Sequence, residues 1–321
     1  MKKWKKTACL FLSLLTLLSF TGCQQQTSIR FGAAGLGGNY YAFATAFSEL
    51  CAAQDEPYTI GVKSTAGSAA NIRLLNGNYI ELGIAQMDLV DEAYHGTGAY
   101  EKAACQGYQA IASLYTEVCQ IVVRADSSIH SLADLQGKTV SIGEAESGTE
   151  RNAKQILSLS GLNDKLVDMV NLDYTEAATA LATEKIDAAF FTAGLHLAAL
   201  EGLSDDCAIR FLAIDDTCAQ KLKAAYPFYE DTTIPANTYR GQDEDISSLG
   251  IPAVLLANET LSDDTVKQLT SFLFAHAKDL QYSLSMDLRI TEETAVKGIT
   301  IPFHAGAAEY YKENGIDVTK E

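Results

Sequence analysis

Three times along this chain a short apolar strand runs into a loop of small, hydroxyl and amide residues, and each loop opens a helix-like pattern. The stretches are "RFGAAGLGGNYY" at 30–41, "STAGSAANIRLL" at 64–75 and "SIGEAESGTERN" at 141–152. After the first loop, Tyr40, Phe43, Ala44, Phe47, Leu50 and Cys51 recur at offsets of three and four, which draws one apolar stripe along a helix. Strand, loop, helix and strand in succession predict an α/β fold with parallel strands and helices on the sheet faces. In such a sheet every strand-to-helix loop lies at one carboxyl edge, and ligands bind there.

The units fall into two series. The first runs through strands at 28–32 and 58–63, a helix from about 68, and a strand in "YIELGIAQMD". The second has strands at 119–124 and 138–142, a loop at 143–148 with a helix after it, and then "LVDMVNL", a helix at about 175–184, "KIDAAFFTAG" and "AIRFLAI". A proline-bearing connection, "YPFYEDTTIPANTYRGQDED" at 226–245, precedes another apolar strand, a helix capped by Ser262 or Asp263, and a helical tail. If the two series form two lobes facing a cleft, helix N-termini converge on it from both sides, each carrying about half a positive charge.

Taken singly, Ser68, Ser147 and Thr149 read as ordinary helix caps. Three matched loops read better as a binding edge, because free first-turn amides that accept a cap also accept an anion. Asn39, Tyr40, Gln86, Phe191 and Tyr239 stand at turns or strand ends that offer donors or apolar walls to the same edge, Tyr40 and Phe191 being equally readable as core.

Catalytic parts are missing from the pattern. "GAAGLGG" does not keep the G-x-G-x-x-G spacing, and the second strand ends in Lys63 and Ser64, where a dinucleotide site needs an acid for the ribose. There is no G-x-S-x-G elbow, H-E-x-x-H pair or Walker loop, and the five histidines are scattered. No catalytic residue, cofactor or metal site is expected.

The chain opens with Lys2, Lys3, Lys5 and Lys6, then mostly apolar residues 7–20, then small residues ending at Cys23. This is the layout of a secretory signal peptide over 1–22, and its apolar run falls short of the ~20 residues that span a bilayer. Removing it leaves 299 residues and takes the net charge from −17 to −21. So acidic a body is repelled by nucleic acid and by anionic lipid heads, so neither is an expected partner. Of the seven cysteines, Cys51, Cys105, Cys119, Cys207 and Cys218 remain, an odd number with no metal-ligand spacing. They read mostly as small buried apolar residues, with a Cys105 to Cys119 or Cys207 to Cys218 bridge left open.

The "FTGC" ending resembles the lipobox of bacterial lipoproteins, with Phe20 where that motif usually has Leu. The resemblance implies lipid attachment at Cys23, a linker at 23–28, and an exported body tethered to the outer face of the membrane. Nearly the whole mature chain resembles the TAXI family, the substrate-binding proteins of one class of TRAP transporters. The residues that carry this are "IRFGAAGLGGNYY", "TAGSAANIRLLNGN", "IAQMD", "QIVVRAD", "LADLQGKTVSIGEAESGTERNAKQIL", "IPANTYRGQ" and "IPFHAGAAEYYKENGI". The resemblance implies a two-lobed, type II periplasmic-binding-protein-like fold, each lobe a mostly parallel sheet flanked by helices, with the ligand cleft between. Lobe one is expected over 29–117 and 245–321, lobe two over 118–244, with crossings near 115–120 and 235–245.

It further implies capture of a small organic anion, such as glutamate, a related amino acid or a dicarboxylate, and delivery by a monomer to TRAP permease subunits. The expected ligand-binding residues are Gly35, Asn39, Tyr40, Ser64, Gly67, Ser68, Asn71, Gln86, Ser147, Gly148, Thr149, Phe191, Gly194 and Tyr239. Arg73, Arg124 and Arg151 are candidate partners for the anion, while Glu144 and Glu146, where the family often has a small residue or Pro, oppose a dianion. An exported sensor module is the alternative reading, and an exported hydrolase a more remote one.

Overall fold

Strands β3 (Leu82–Gln86) and β7 (Ala188–Ala193) are buried at every position, as expected of apolar runs covered on both faces of a sheet. Around them the computed structural model describes residues 27–54, 56–286 and 288–318. The signal peptide expected over 1–22 and the expected lipid-attachment residue Cys23 lie outside the described residues.

The other strands are β1 (Thr27–Gly32), β2 (Tyr58–Lys63), β4 (Tyr108–Arg124), β5 (Thr139–Ser141), β6 (Asp168–Val170), β8 (Ile209–Leu212), β9 (Glu230–Ile234) and β10 (Ile246–Asn258). The sheet runs β2-β1-β3-β10-β4-β7-β5-β6, with β8 beside β4 and β9 beside β10. Pairs at both ends, β1 with β2 and β3, and β5 with β6 and β7, are parallel, as the strand–helix grammar predicts. The middle is antiparallel, because β10 returns from the C-terminal part of the chain between β3 and β4. The result is one mixed sheet rather than two separate parallel ones.

Helices α1 (Asn39–Ala53), α2 (Ser68–Asn76), α3 (Met87–His95), α4 (Gly148–Leu159) and α5 (Tyr174–Ala182) follow β1, β2, β3, β5 and β6. Two apolar clusters cover the faces of the first half of the sheet and two more the second. The long strands β4 and β10 serve both halves. In β4, Tyr108 to Leu114 belong to the first half and Val118 to Val123 to the second; in β10, Leu249 and Ile251 pack in the second half and Ala253 to Ala257 in the first. The second changeover therefore falls within β10, beyond the proline-bearing connection where the sequence suggested it. That connection instead leads from β9 into the second-half end of β10, which pairs back on β9.

All five described cysteines are free thiols, three of them buried, so the Cys105 to Cys119 and Cys207 to Cys218 bridges do not form. Among the described residues, no helix is long and apolar enough to cross a membrane.

Candidate functional site

Three of the strand-to-helix loops meet where the halves face each other. Helix α1 starts behind Gly38 and α2 behind Gly67, both without a side-chain cap, so their first-turn amides are left to the cleft, except that of Ala70, which the Glu146 carbonyl accepts. Gly67 has φ +120°, a conformation open to glycine, and a β-carbon there would meet Ser147 of the other half at 3.4 Å. Helix α4 is different, because Ser147 caps it by accepting from the Glu150 amide at 3.0 Å.

The cleft between these helix ends encloses about 500 Å³ of non-atom space, its open mouth included. Nine expected residues line it: Gly35, Asn39, Tyr40, Gly67, Ser68, Gln86, Ser147, Gly148 and Thr149. Two of the expected caps do other work. The Ser68 hydroxyl accepts from the Gln86 amide at 3.2 Å, and the Thr149 hydroxyl lies 2.7 Å from the Tyr174 hydroxyl and accepts from the Thr192 amide at 3.2 Å.

Five expected residues are not in the lining. Asn71 is fully buried, and its amide donates to the carbonyls of Gly32 and Ile84 at 3.2 and 2.9 Å and accepts from the Thr65 hydroxyl at 2.7 Å. It is a strut between the second loop and strands β1 and β3. Ser64 is exposed and donates to the Ala34 carbonyl. Phe191 packs in the core against Tyr174, because its neighbour Thr192 takes the cleft-facing place on β7. Gly194 accepts from Gln120, and Tyr239 donates to Gln120 at 2.7 Å and accepts from the Leu197 amide, so both serve the core of the second half.

Sequence reasoning missed Glu117, Tyr174 and Thr192 of the lining. Glu117 was detectable, since a lone carboxyl inside the apolar run "SLYTEVCQIVV" must be buried at a cost that only a role or a partner offsets. It sits in the stretch of β4 where the chain passes between halves and is 3% exposed. Its Oε2 accepts from the Tyr40 hydroxyl at 2.8 Å and from the Gln86 amide at 2.9 Å. Burial pushes the carboxyl up to about 8, against the lowering effect of those two bonds, and the charge of Asp88 adds to the rise.

Among the described residues no lysine or arginine lines the cleft, whereas Glu117, Glu144 and Asp173 do. Burial raises Glu144, with Asp173 and Glu176 adding to the effect. The arginines expected to meet an anion are committed elsewhere: Arg73 to Glu146, Arg124 to Asp126, and Arg151 to Asp88 and Glu92. The bridges of Arg73 and Arg151 join the two halves, as does a bond from the Ala70 amide to the Glu146 carbonyl at 3.2 Å. Two buried acceptors of the lining, Asn39 Oδ1 and Gln86 Oε1, have no protein partner.

A mixed α/β sheet whose two long strands run through both halves, with a polar cleft at the helix ends, defines the two-lobed type II periplasmic-binding-protein fold. Residues 31–315 match the NMT1-like family, and the chain belongs to it. Among solved structures, it is similar to a protein from Bordetella bronchiseptica at 14% identity and TM-score 0.57, covering 91% of this chain and 99% of that one. The binding protein component of an ABC phosphonate transporter from Pseudomonas aeruginosa matches at 16% identity and TM-score 0.53, over 82% and 81% of the two chains. Tv2483, solved bound to L-arginine, matches at 14% identity and TM-score 0.51, over 85% and 96%.

Proposed function

We propose that the protein is an exported solute-binding protein that closes its two halves on a small carboxylate-bearing molecule, an amino acid ahead of a dicarboxylate, and presents it to a membrane permease. The observation that carries this is the convergence of three helix N-termini, two of them uncapped by side chains, on one cleft that also holds unpartnered buried acceptors. Such amides hold a carboxylate without a basic side chain. The L-arginine bound by Tv2483 accords with a ligand of this size.

The lobes proposed are those expected, 29–117 with 245–321 and 118–244, except that the second boundary moves into β10 between Ile251 and Ala253, with β4 and β10 as the hinge strands. Lipid attachment at Cys23 would keep a monomeric receptor beside its permease. The whole-chain resemblance to TAXI receptors supports a TRAP permease driven by an ion gradient. The likeness to the Pseudomonas ABC component, at 16% identity, concerns the fold and leaves the energy source to experiment.

Native mass spectrometry of the protein as purified should show a small amino or dicarboxylic acid carried with it. A thermal-shift panel of amino acids and dicarboxylates should then raise the melting temperature, and absence of any response would end this reading. In cells, ligand uptake abolished by an ionophore and indifferent to ATP depletion supports the TRAP partner, and the reverse result would assign the receptor to an ATP-driven transporter.

A further inference from the structure

The cleft is better furnished to receive hydrogen than to give it from side chains. Glu117 accepts both of its protein hydrogen bonds on Oε2, and Oε1 has no partner among the described residues. Around it stand Gln86, 1% exposed with Oε1 unpartnered, and Asn39, 7% exposed with Oδ1 unpartnered. Glu144 and Asp173 add carboxylates to the lining, and among the described residues no basic side chain there offsets them. The donors are backbone amides at the starts of α1, α2 and α4, with the Asn39 amide and the Ser147 hydroxyl beside them. A ligand that satisfies this arrangement is negative at one end and rich in N–H at the other.

Resting on the binding-protein reading above, we propose that Glu117 is the residue that selects the ligand's charge: Oε1 receives the ammonium group of a zwitterionic amino acid whose carboxylate lies on the helix ends, and nitrogen-free acids are rejected. A dicarboxylate would set a second negative group against Glu117, Asn39 Oδ1 and Gln86 Oε1, with no cationic side chain in the described lining to offset it. In the empty cleft near pH 7 the carboxyl holds its proton, because burial lifts it to about 8. The incoming ammonium favours the carboxylate, so the proton leaves to solvent as the ligand binds.

The groups facing Glu117 leave this response to Glu117 itself. Tyr40 from α1, Tyr115 on β4 and Tyr174 from α5 are all raised by burial, and Cys119 on β4 is pushed up to about 12, so none titrates between pH 6 and 8. Asp88 on α3 is paired with Arg151. Asp88, Glu144 and Asp173 remain in Glu117→Gln, so a proton release that persists in the variant belongs to them and one that disappears belongs to Glu117.

The experiment is isothermal titration of the full protein and of Glu117→Gln with the proteinogenic L-amino acids and with nitrogen-free counterparts such as glutarate for glutamate, in two buffers of different ionisation enthalpy. The expected result is that the tightest ligand is an amino acid bound at least 30-fold more tightly than its nitrogen-free counterpart. Close to one proton is released per ligand at pH 7, and the affinity falls about 50-fold from pH 8 to pH 6, as one group with a free value near 8 requires. Glu117→Gln should keep its cooperative melt, lose the preference and release no proton. A nitrogen-free acid bound as well as the amino acid, or amino acid binding without proton release by the unaltered protein, overturns the role of Glu117 while leaving the binding-protein reading in place. Failure of every acid in the panel to bind overturns both. Proton release is read on the unaltered protein, so the result stands even if the variant folds poorly.

Discussion

Gly148, at the start of α4, stands against the side-chain amide of Gln86, at the end of β3, with no room for a β-carbon between them. The two residues come from opposite halves of the sheet, and both line the cleft. Glycine here serves closeness of approach rather than unusual dihedrals, since Gly148 is the first residue of a regular helix. Gly148→Ala therefore suits the helix locally but pushes Gln86 off Glu117 or holds the halves apart. An overpacked contact of this kind costs about 1–3 kcal/mol, expected to appear as roughly 5- to 150-fold weaker ligand binding by calorimetry. Melting of the ligand-free protein should fall as well, since the contact is present without ligand, and unaltered affinity would show that binding does not depend on this close approach.

Asn71 and Ser68, three residues apart in one loop-helix unit, should respond differently. Asn71→Ala takes the donor from two buried carbonyls and the acceptor from the part-buried Thr65 hydroxyl, and is expected to lower stability by about 2–3 kcal/mol in denaturant titration, with affinity nearly kept. Ser68→Ala removes the acceptor of the Gln86 amide at the cleft wall, costing about 1 kcal/mol of stability and also affinity. If Asn71→Ala abolished binding in a folded protein, Asn71 would regain the ligand-contacting role that its place in the core denies it.

These contrasts show what the sequence made legible. Strand–loop–helix periodicity is a local property, so β1, β2 and β5 with their helices, and the three loops that meet at the cleft, could be read directly. The insertion of β10 between β3 and β4 is a pairing across more than a hundred residues, and no local pattern encodes it. At the site, loop composition located Ser68, Ser147 and Thr149 but not their partners, which is why two of the three expected caps turned out to bond across the sheet edge instead. Period-two alternation in β7 decides between Phe191 and Thr192 only once the cleft face is known. Glu117 was visible as a carboxyl in an apolar strand, yet its meaning depends on Tyr40 and Gln86, 77 and 31 residues away.

Glu117 also sets a direction for stability against pH in the ligand-free protein. Its unfolded carboxyl titrates near 4.5 and its folded one near 8, so between those values the native state holds a proton that the unfolded state has lost. Its contribution is fully present below about 4.5 and drains away as pH rises through about 8. Melting temperature should thus decline more steeply between pH 5 and 8 for the unaltered protein than for Glu117→Gln. Parallel slopes would mean that the carboxyl is already ionised in the fold.

Arg151 presents the last contrast, between two bridges that join the same halves. Arg73 and Glu146 are both more than half exposed, so removing that pair should cost under about 1 kcal/mol. Arg151 is largely covered and donates to Asp88 at 3.1 Å, and Asp88 is 5% exposed with its other oxygen unpartnered. Burial already raises the Asp88 carboxyl in spite of the neighbouring guanidinium. Arg151→Met leaves that carboxyl without its counter-charge, expected to destabilise by about 3–5 kcal/mol. Pairing it with Asp88→Asn should recover only part of the loss, because the amide carries no charge to strand but Glu92, the other partner of Arg151, still lacks its counter-charge. Chemical denaturation of the two single variants and the double variant measures the coupling directly, and additive effects would show that the bridge does not hold the halves together.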